Sequence, residues 1–179
     1  ALSQTPLHIV CKKQYPEIIQ YLLQNGADPM RQDKDGNTPL HLLVKETKPQ
    51  TIDCIDLLLD NGADINAVND LQRTPFFVCA QTTDNQFRNR NGILLNHLLE
   101  KGAYADTSDI NQNNPLYHAV EDDDLERVNL LLKAGVDPNC RNRNNISPYK
   151  LALQKNRRSI ISRIEKSQVK ITADPDDLD

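Results

Sequence analysis

Asp33-Lys34-Asp35-Gly36-Asn37-Thr38-Pro39-Leu40-His41 reads as a tight turn that runs straight into a helix. Gly36 can supply the positive φ that such a reversal needs. Thr38 suits the N-cap, where its hydroxyl accepts from a backbone N–H one turn in. Pro39 suits the first helical position, where no N–H is missed. Leu40 opens an apolar face. The same start recurs as Thr5-Pro6-Leu7-His8, Thr74-Pro75-Phe76-Phe77, Asn114-Pro115-Leu116-Tyr117 and Ser147-Pro148-Tyr149-Lys150.

From start to start the spacings are 33, 36, 40 and 33 residues. A second landmark keeps step with the first: Asn25-Gly26-Ala27-Asp28, Asn61-Gly62-Ala63-Asp64, Lys101-Gly102-Ala103-Tyr104 and Ala134-Gly135-Val136-Asp137, each behind a Leu-rich segment. A glycine just past a helix end fits the left-handed stop. Each unit is thus turn, helix, short turn, helix, glycine stop. One such pair cannot bury both of its apolar faces, so the units must stack.

A period of about 33 residues carrying T-P-L-H and G-A-D-x-N resembles the ankyrin-repeat family. The resemblance covers residues 1–166 as five repeats, about 1–32, 33–68, 69–108, 109–141 and 142–166, followed by an acidic, flexible tail over 167–179. It implies an all-α solenoid of stacked helix-turn-helix units with projecting turns. Repeat one has no leading turn, and its apolar edge implies more repeats or a cap upstream. Repeat three departs most, with an inserted polar loop within Gln81 to Gly92 that includes Phe87, Arg88 and Arg90. Gln72, Gln112 and Asn145 stand where the turn glycine belongs. Gln tolerates positive φ poorly, so the turns at 72 and 112 are expected to be reshaped or weaker.

Composition narrows the chemistry. The chain has 179 residues, a net charge of −4, 4% aromatics and no Trp. No apolar run approaches a membrane span, so membrane insertion is not expected, and residue 1 begins no signal peptide. Cys11, Cys54, Cys79 and Cys140 form no C-x-x-C pair. They read as free thiols in a reducing intracellular compartment, cytoplasm or nucleus.

No nucleophile, phosphate-loop or metalloprotease signature is present, so no enzyme activity, cofactor or metal is expected. His8 and His41 could be read as metal ligands, but they occupy equivalent positions of adjacent repeats. The resemblance implies instead that this histidine hydrogen-bonds backbone and joins neighbouring turns. Asp122, Asp123 and Asp124 lack the spacing of a calcium loop and read as a solvated turn ahead of a helix.

Residues 141–170 carry nine Lys and Arg against Glu165 alone, and the last nine residues carry four Asp. The basic stretch reads as a solvated cap or as a docking site for an acidic partner. It lacks interleaved aromatics, which disfavours nucleic acid.

The expected function is non-catalytic recognition of a protein or peptide, through the turns and the first helices that line the concave face, within a larger intracellular protein. A structural array without a client and a bacterial effector fragment binding a host protein are the alternatives; no small-molecule substrate is expected. Most turn tips are polar, as at Lys34, Asp35 and Asn37. Leu71, Ile110 and Ile146 break that habit and would anchor a partner. Arg73, Asn111, Asn113, Arg143 and Asn144 would form the rim, and Gln81 and Phe87 would extend it. The resemblance also marks Asn66, and less well Asn139 because Pro138 stands where a β-branched residue is usual, as candidates for asparagine hydroxylation; the alternative is a hydrogen-bonding turn residue.

Overall fold

A computed structural model describes residues 4–81 and 88–172. Phe87 and the acidic residues from Asp174 onward lie outside them. The described residues form ten α-helices: α1 Pro6–Lys13, α2 Pro16–Gln24, α3 Pro39–Leu43, α4 Thr51–Asp60, α5 Pro75–Ala80, α6 Arg88–Glu100, α7 Pro115–Glu121, α8 Leu125–Lys133, α9 Pro148–Gln154 and α10 Arg158–Thr172. None is long and apolar enough to cross a membrane.

All five expected starts are helix starts with proline in the first turn. Thr5, Thr38, Thr74, Asn114 and Ser147 are the N-caps, each in extended backbone. The Asn114 side chain accepts from the Tyr117 N–H at 3.0 Å and the Ser147 hydroxyl from the Lys150 N–H at 3.2 Å. Gly26, Gly62, Gly102 and Gly135 close the second helices at positive φ.

The chain divides into two compact units, residues 1–110 and 111–179. In the first, α1 packs on α2 and α3, α2 on α4, α3 on α4 and α5, and α5 on α6. In the second, α7 packs on α8 and α9, and α10 on α8 and α9. Equivalent positions bury together: Leu7, Leu40 and Phe76 on first helices and Ile19, Ile55 and Leu95 on second helices in unit one, with Leu116 and Val128 in unit two. Removing such apolar surface from water drives the stacking. On the first pair of helices, Ile9, Ile18 and Tyr21 are exposed.

Three expectations need correction. Residues 88–92, read as part of an inserted loop, are the first turn and more of α6. The second helix of repeat five continues to Thr172, past the boundary at 166. The turns at 72 and 112 are not reshaped: Gln72 and Gln112 take φ of 59° and 62°, beside 74° at Gly36. The side chain of the first turn residue explains this. Asn69 Oδ1 accepts the N–H of Leu71 and of Arg73, both at 3.0 Å, and so closes the turn whatever residue occupies its tip.

Candidate functional site: the turn fingers and the first helices

Each turn with its flanking residues forms a finger ahead of a first helix. Fingers begin at Asp33, Asn69, Asp109 and Asn142, and the residue four further on forms the neck: Asn37, Arg73, Asn113 and Ile146. Within each unit, neighbouring fingers share one backbone hydrogen bond. Asp70 N–H donates to Asp35 O at 3.2 Å and Ile110 N–H to Leu71 O at 2.9 Å in unit one; Arg143 N–H donates to Asn111 O at 3.1 Å in unit two.

The necks bind the next finger's first residue. Asn69 Nδ2 donates to Asn37 Oδ1 at 2.9 Å, Arg73 Nη2 to Asp109 Oδ2 at 3.4 Å, and Asn142 Nδ2 to Asn113 Oδ1 at 2.7 Å. Asn37 and Asn113 were expected at the solvent-facing tips and rim. Both are buried, at 5% and 9% exposure, because their amides are spent on this ladder. Burial alone would raise the Asp33 carboxyl, but N–H groups of Asn37 and Asp35 and the Gln4 amide outweigh it and hold the group below its usual range.

The histidines are stitches between fingers. The Thr38 N–H points at His41 Nδ1 at 3.1 Å, so that nitrogen carries the lone pair. The proton therefore sits on Nε2, 2.9 Å from the carbonyl oxygen of Arg73. His8 repeats this with the Thr5 N–H and the carbonyl of Asn37, at 3.2 and 3.0 Å. Burial outweighs the carbonyl contact and lowers the pKa of His41. Repeat three has Phe77 here, fully buried with the Arg73 guanidinium 5.3 Å above its ring. His97 on α6 serves elsewhere, with Nε2 2.9 Å from Asp56 Oδ1, which Lys101 also reaches at 2.8 Å.

The acidic run of repeat four is occupied by arginines of its own unit. Asp124 caps α8, accepting from the Arg127 N–H at 3.1 Å, Asp122 holds the Arg127 guanidinium at 2.5 Å, and Asp123 meets Arg157 at 2.6 Å.

The structure brings two of the three expected anchors together. Leu71 and Ile110 occupy adjacent finger tips at 46% and 42% exposure, tied by their shared backbone bond. Lys34, Asp35, Asn111, Arg143 and Asn144 are exposed on tips. Ile146 is a half-buried neck residue of unit two, not a tip, because it stands where Asn37 and Asn113 stand. Beside Leu71, a groove of about 390 Å³ runs between the fingers and first helices of unit one. Leu71 and Val78 supply its apolar lining, and Asp35, Lys45, Arg73 and Gln81 its polar lining. Sequence reading missed Lys45, just past the end of α3, and Val78, inside α5; their signal was a place on or next to a first helix.

Asn66 is clasped by its neighbouring repeat: Nδ2 donates to Gly102 O at 3.1 Å and Oδ1 accepts from the Tyr104 N–H at 2.9 Å. Asn139 is exposed. The thiols of Cys11, Cys54 and Cys79 are buried, and burial pushes Cys54 up to about 11 and Cys79 to about 12. They behave as small apolar side chains.

A family model described as ankyrin repeats, in three copies, matches residues 2–69 and again 48–142. The B-cell lymphoma 3 protein homolog of Mus musculus is 34% identical over 145 residues, 78% of this chain and 30% of the relative. Rabankyrin-5 of Homo sapiens is 33% identical over 155 residues, 85% of this chain and 12% of the relative. This chain therefore spans less than a third of either relative. The crystal structure of the ankyrin repeat domain of Bcl-3, described as a unique member of the IkappaB protein family, superposes with a TM-score of 0.77. It is 31% identical, and the match covers 93% of this chain and 71% of that one.

Proposed function

Because this chain belongs to the ankyrin-repeat family, we propose that it is a non-catalytic recognition module that binds a partner protein or peptide along its fingers and first helices. The exposed Leu71–Ile110 pair is the anchor, and the adjoining groove with Arg73 and Gln81 receives the polar part of the partner. The observation that carries this reading is an apolar pair on adjacent tips that the stacking core does not use. Lone exposed apolar residues are ordinary, whereas anchors cluster and sit inside a polar rim. Lys34 and Asp35 belong to that rim. Three buried thiols fit an intracellular, reducing setting.

The test is titration of a captured and identified partner against the chain and its Leu71→Ser/Ile110→Ser variant, with melting curves alongside. The variant is expected to lose at least about 2 kcal/mol of binding free energy while its melting temperature changes little. Unchanged affinity removes the pair from the site, and a large loss of stability returns it to inter-repeat packing. Asparagine hydroxylation belongs to the same reading. Asn139 is open to a hydroxylase, whereas Asn66 must first release Gly102 and Tyr104. A gain of one oxygen on the Asn66 peptide as readily as on Asn139 would contradict that order.

A further inference from the structure

Resting on the recognition reading above, we infer that the last finger of unit two carries a carboxylate-binding site, formed by Arg141 and Lys150 around Asn145, that takes an acidic segment of a partner protein. Two cations converge there. Arg141 Nη1 donates to Asn145 Oδ1 at 3.0 Å and Lys150 Nζ to Asn145 O at 3.4 Å, so both charged heads meet at one exposed tip residue. Both cations rest on neutral oxygens of that one residue, the side-chain Oδ1 and the backbone carbonyl. Among the described residues no carboxylate forms an ion pair with either. Two other arginines of the unit are neutralised within it, Arg127 by Asp122 and Arg157 by Asp123.

Lys150 owes its freedom to its place in the repeat. It stands where His8 and His41 stand, and those side chains stitch forward to the carbonyls of Asn37 and Arg73 in the following fingers. Tyr117, at the same position in repeat four, hydrogen-bonds Asn142 of the following finger. Lys150 instead turns back to its own finger. A point charge on a flexible stem stands at the histidine position. Arg141 uses one guanidinium N–H on Asn145 and keeps others for a bidentate carboxylate. Arg143, exposed on the same finger, widens the positive field. Charge complementarity names the occupant: a Glu- or Asp-rich segment, whose carboxylates supply a counter-charge that none of the described residues provides.

The experiment uses the full chain and a fluorescein-labelled peptide of alternating Glu and Ser, followed by anisotropy at low and moderate salt. An equally charged single-stranded oligonucleotide is run as competitor. Arg141→Ser/Lys150→Ser is expected to weaken peptide binding about fivefold or more. Lys155→Ser/Arg158→Ser removes the same charge at the turn between α9 and α10 and is expected to change it less than about twofold, the scale of a screened distant charge. Arg141→Lys/Lys150→Arg is expected to restore most of the affinity, and the Asn145 side-chain amide resonance is expected to move on titration. No peptide binding, equal losses in the two double variants, or an oligonucleotide that outcompetes the peptide through the same two residues would each overturn the assignment. None of these outcomes touches Leu71 and Ile110, so the recognition reading stands or falls separately.

Discussion

In the finger of repeat two the tip residue is Gly36, at φ 74°; in the finger of repeat three it is Gln72, at φ 59°. The backbones match, yet the side chains share little. Asp33 Oδ1 gathers the N–H groups of Asp35 and Asn37 at 3.0 and 2.9 Å, as Asn69 gathers those of Leu71 and Arg73. The forward tie changes hands. Repeat two ties forward through Asn37 to Asn69 and through His41 to the Arg73 carbonyl, whereas repeat three has given its histidine position to Phe77 and ties forward through Arg73 and Asp109. The shape of a finger is therefore set by its first residue, and the rest of its chemistry is free to vary with what the neighbour offers.

The largest break in this comparison is Phe77→Ala. If repeat three has exchanged a stitch for core, the loss is about 3–5 kcal/mol in urea denaturation, the cost of emptying a buried aromatic site. A cost below about 1 kcal/mol, the range of an exposed position, would mean Phe77 merely fills space.

Exchanging tip residues comes next. A Cβ at Gly36 would lie 2.5 Å from the backbone N of Asp70. Gly36→Gln should therefore cost about 1–3 kcal/mol by overpacking against the next finger, although Gln is the natural tip residue one repeat later. Thermal melts compare the two.

The stitch itself predicts a pH dependence. His41 is neutral and its pKa is lowered by burial, so below the ordinary histidine pKa the unfolded chain binds a proton that the folded chain resists. That part of the stability is complete above about pH 6.5 and is lost as pH falls below it, with a slope of at most about 1.4 kcal/mol per pH unit. His41→Phe, which copies repeat three, should flatten the difference between melts at neutral pH and at pH 5.5. An unchanged slope would move the effect to another histidine.

The smallest effect is the reverse exchange. Gln72→Gly removes left-handed strain but adds freedom to the unfolded chain, and the balance is a gain of about 0.5 kcal/mol or less. A loss of stability would show that the Gln72 side chain has a role at the tip.

How much of this was legible follows from how local each feature is. Helix starts and glycine stops are written in consecutive residues, so Thr38-Pro39 and Gly26 declared themselves. The role of His8 and His41 was legible only through the family resemblance; their recurrence at equivalent positions argued against a metal site. Asn37 looked like a polar tip because its burial depends on Asn69, which arrives one repeat later; likewise Asn113 depends on Asn142. A pairing signal was present, with Asp or Asn opening every finger and a complementary residue at each preceding neck, but it appears only when the repeats are aligned by finger rather than by helix. Lys150 was visible as the fourth residue of the fifth helix start, yet its approach to Asn145 depends on side-chain direction, which spacing does not encode. Residues 88–92 misled because polar composition alone suggested a loop, whereas α6 extends through them.

The single backbone bond between neighbouring fingers has a consequence for exchange with heavy water. The Asp70 and Ile110 amide protons, bonded to Asp35 O and Leu71 O, are released only when one finger swings off the next. Their exchange rates thus count openings of the fingers while the helices behind stay closed. A partner gripping both the Leu71 and Ile110 tips would slow the Ile110 proton by holding that junction shut. A partner resting on one tip would leave it exchanging as in the free chain.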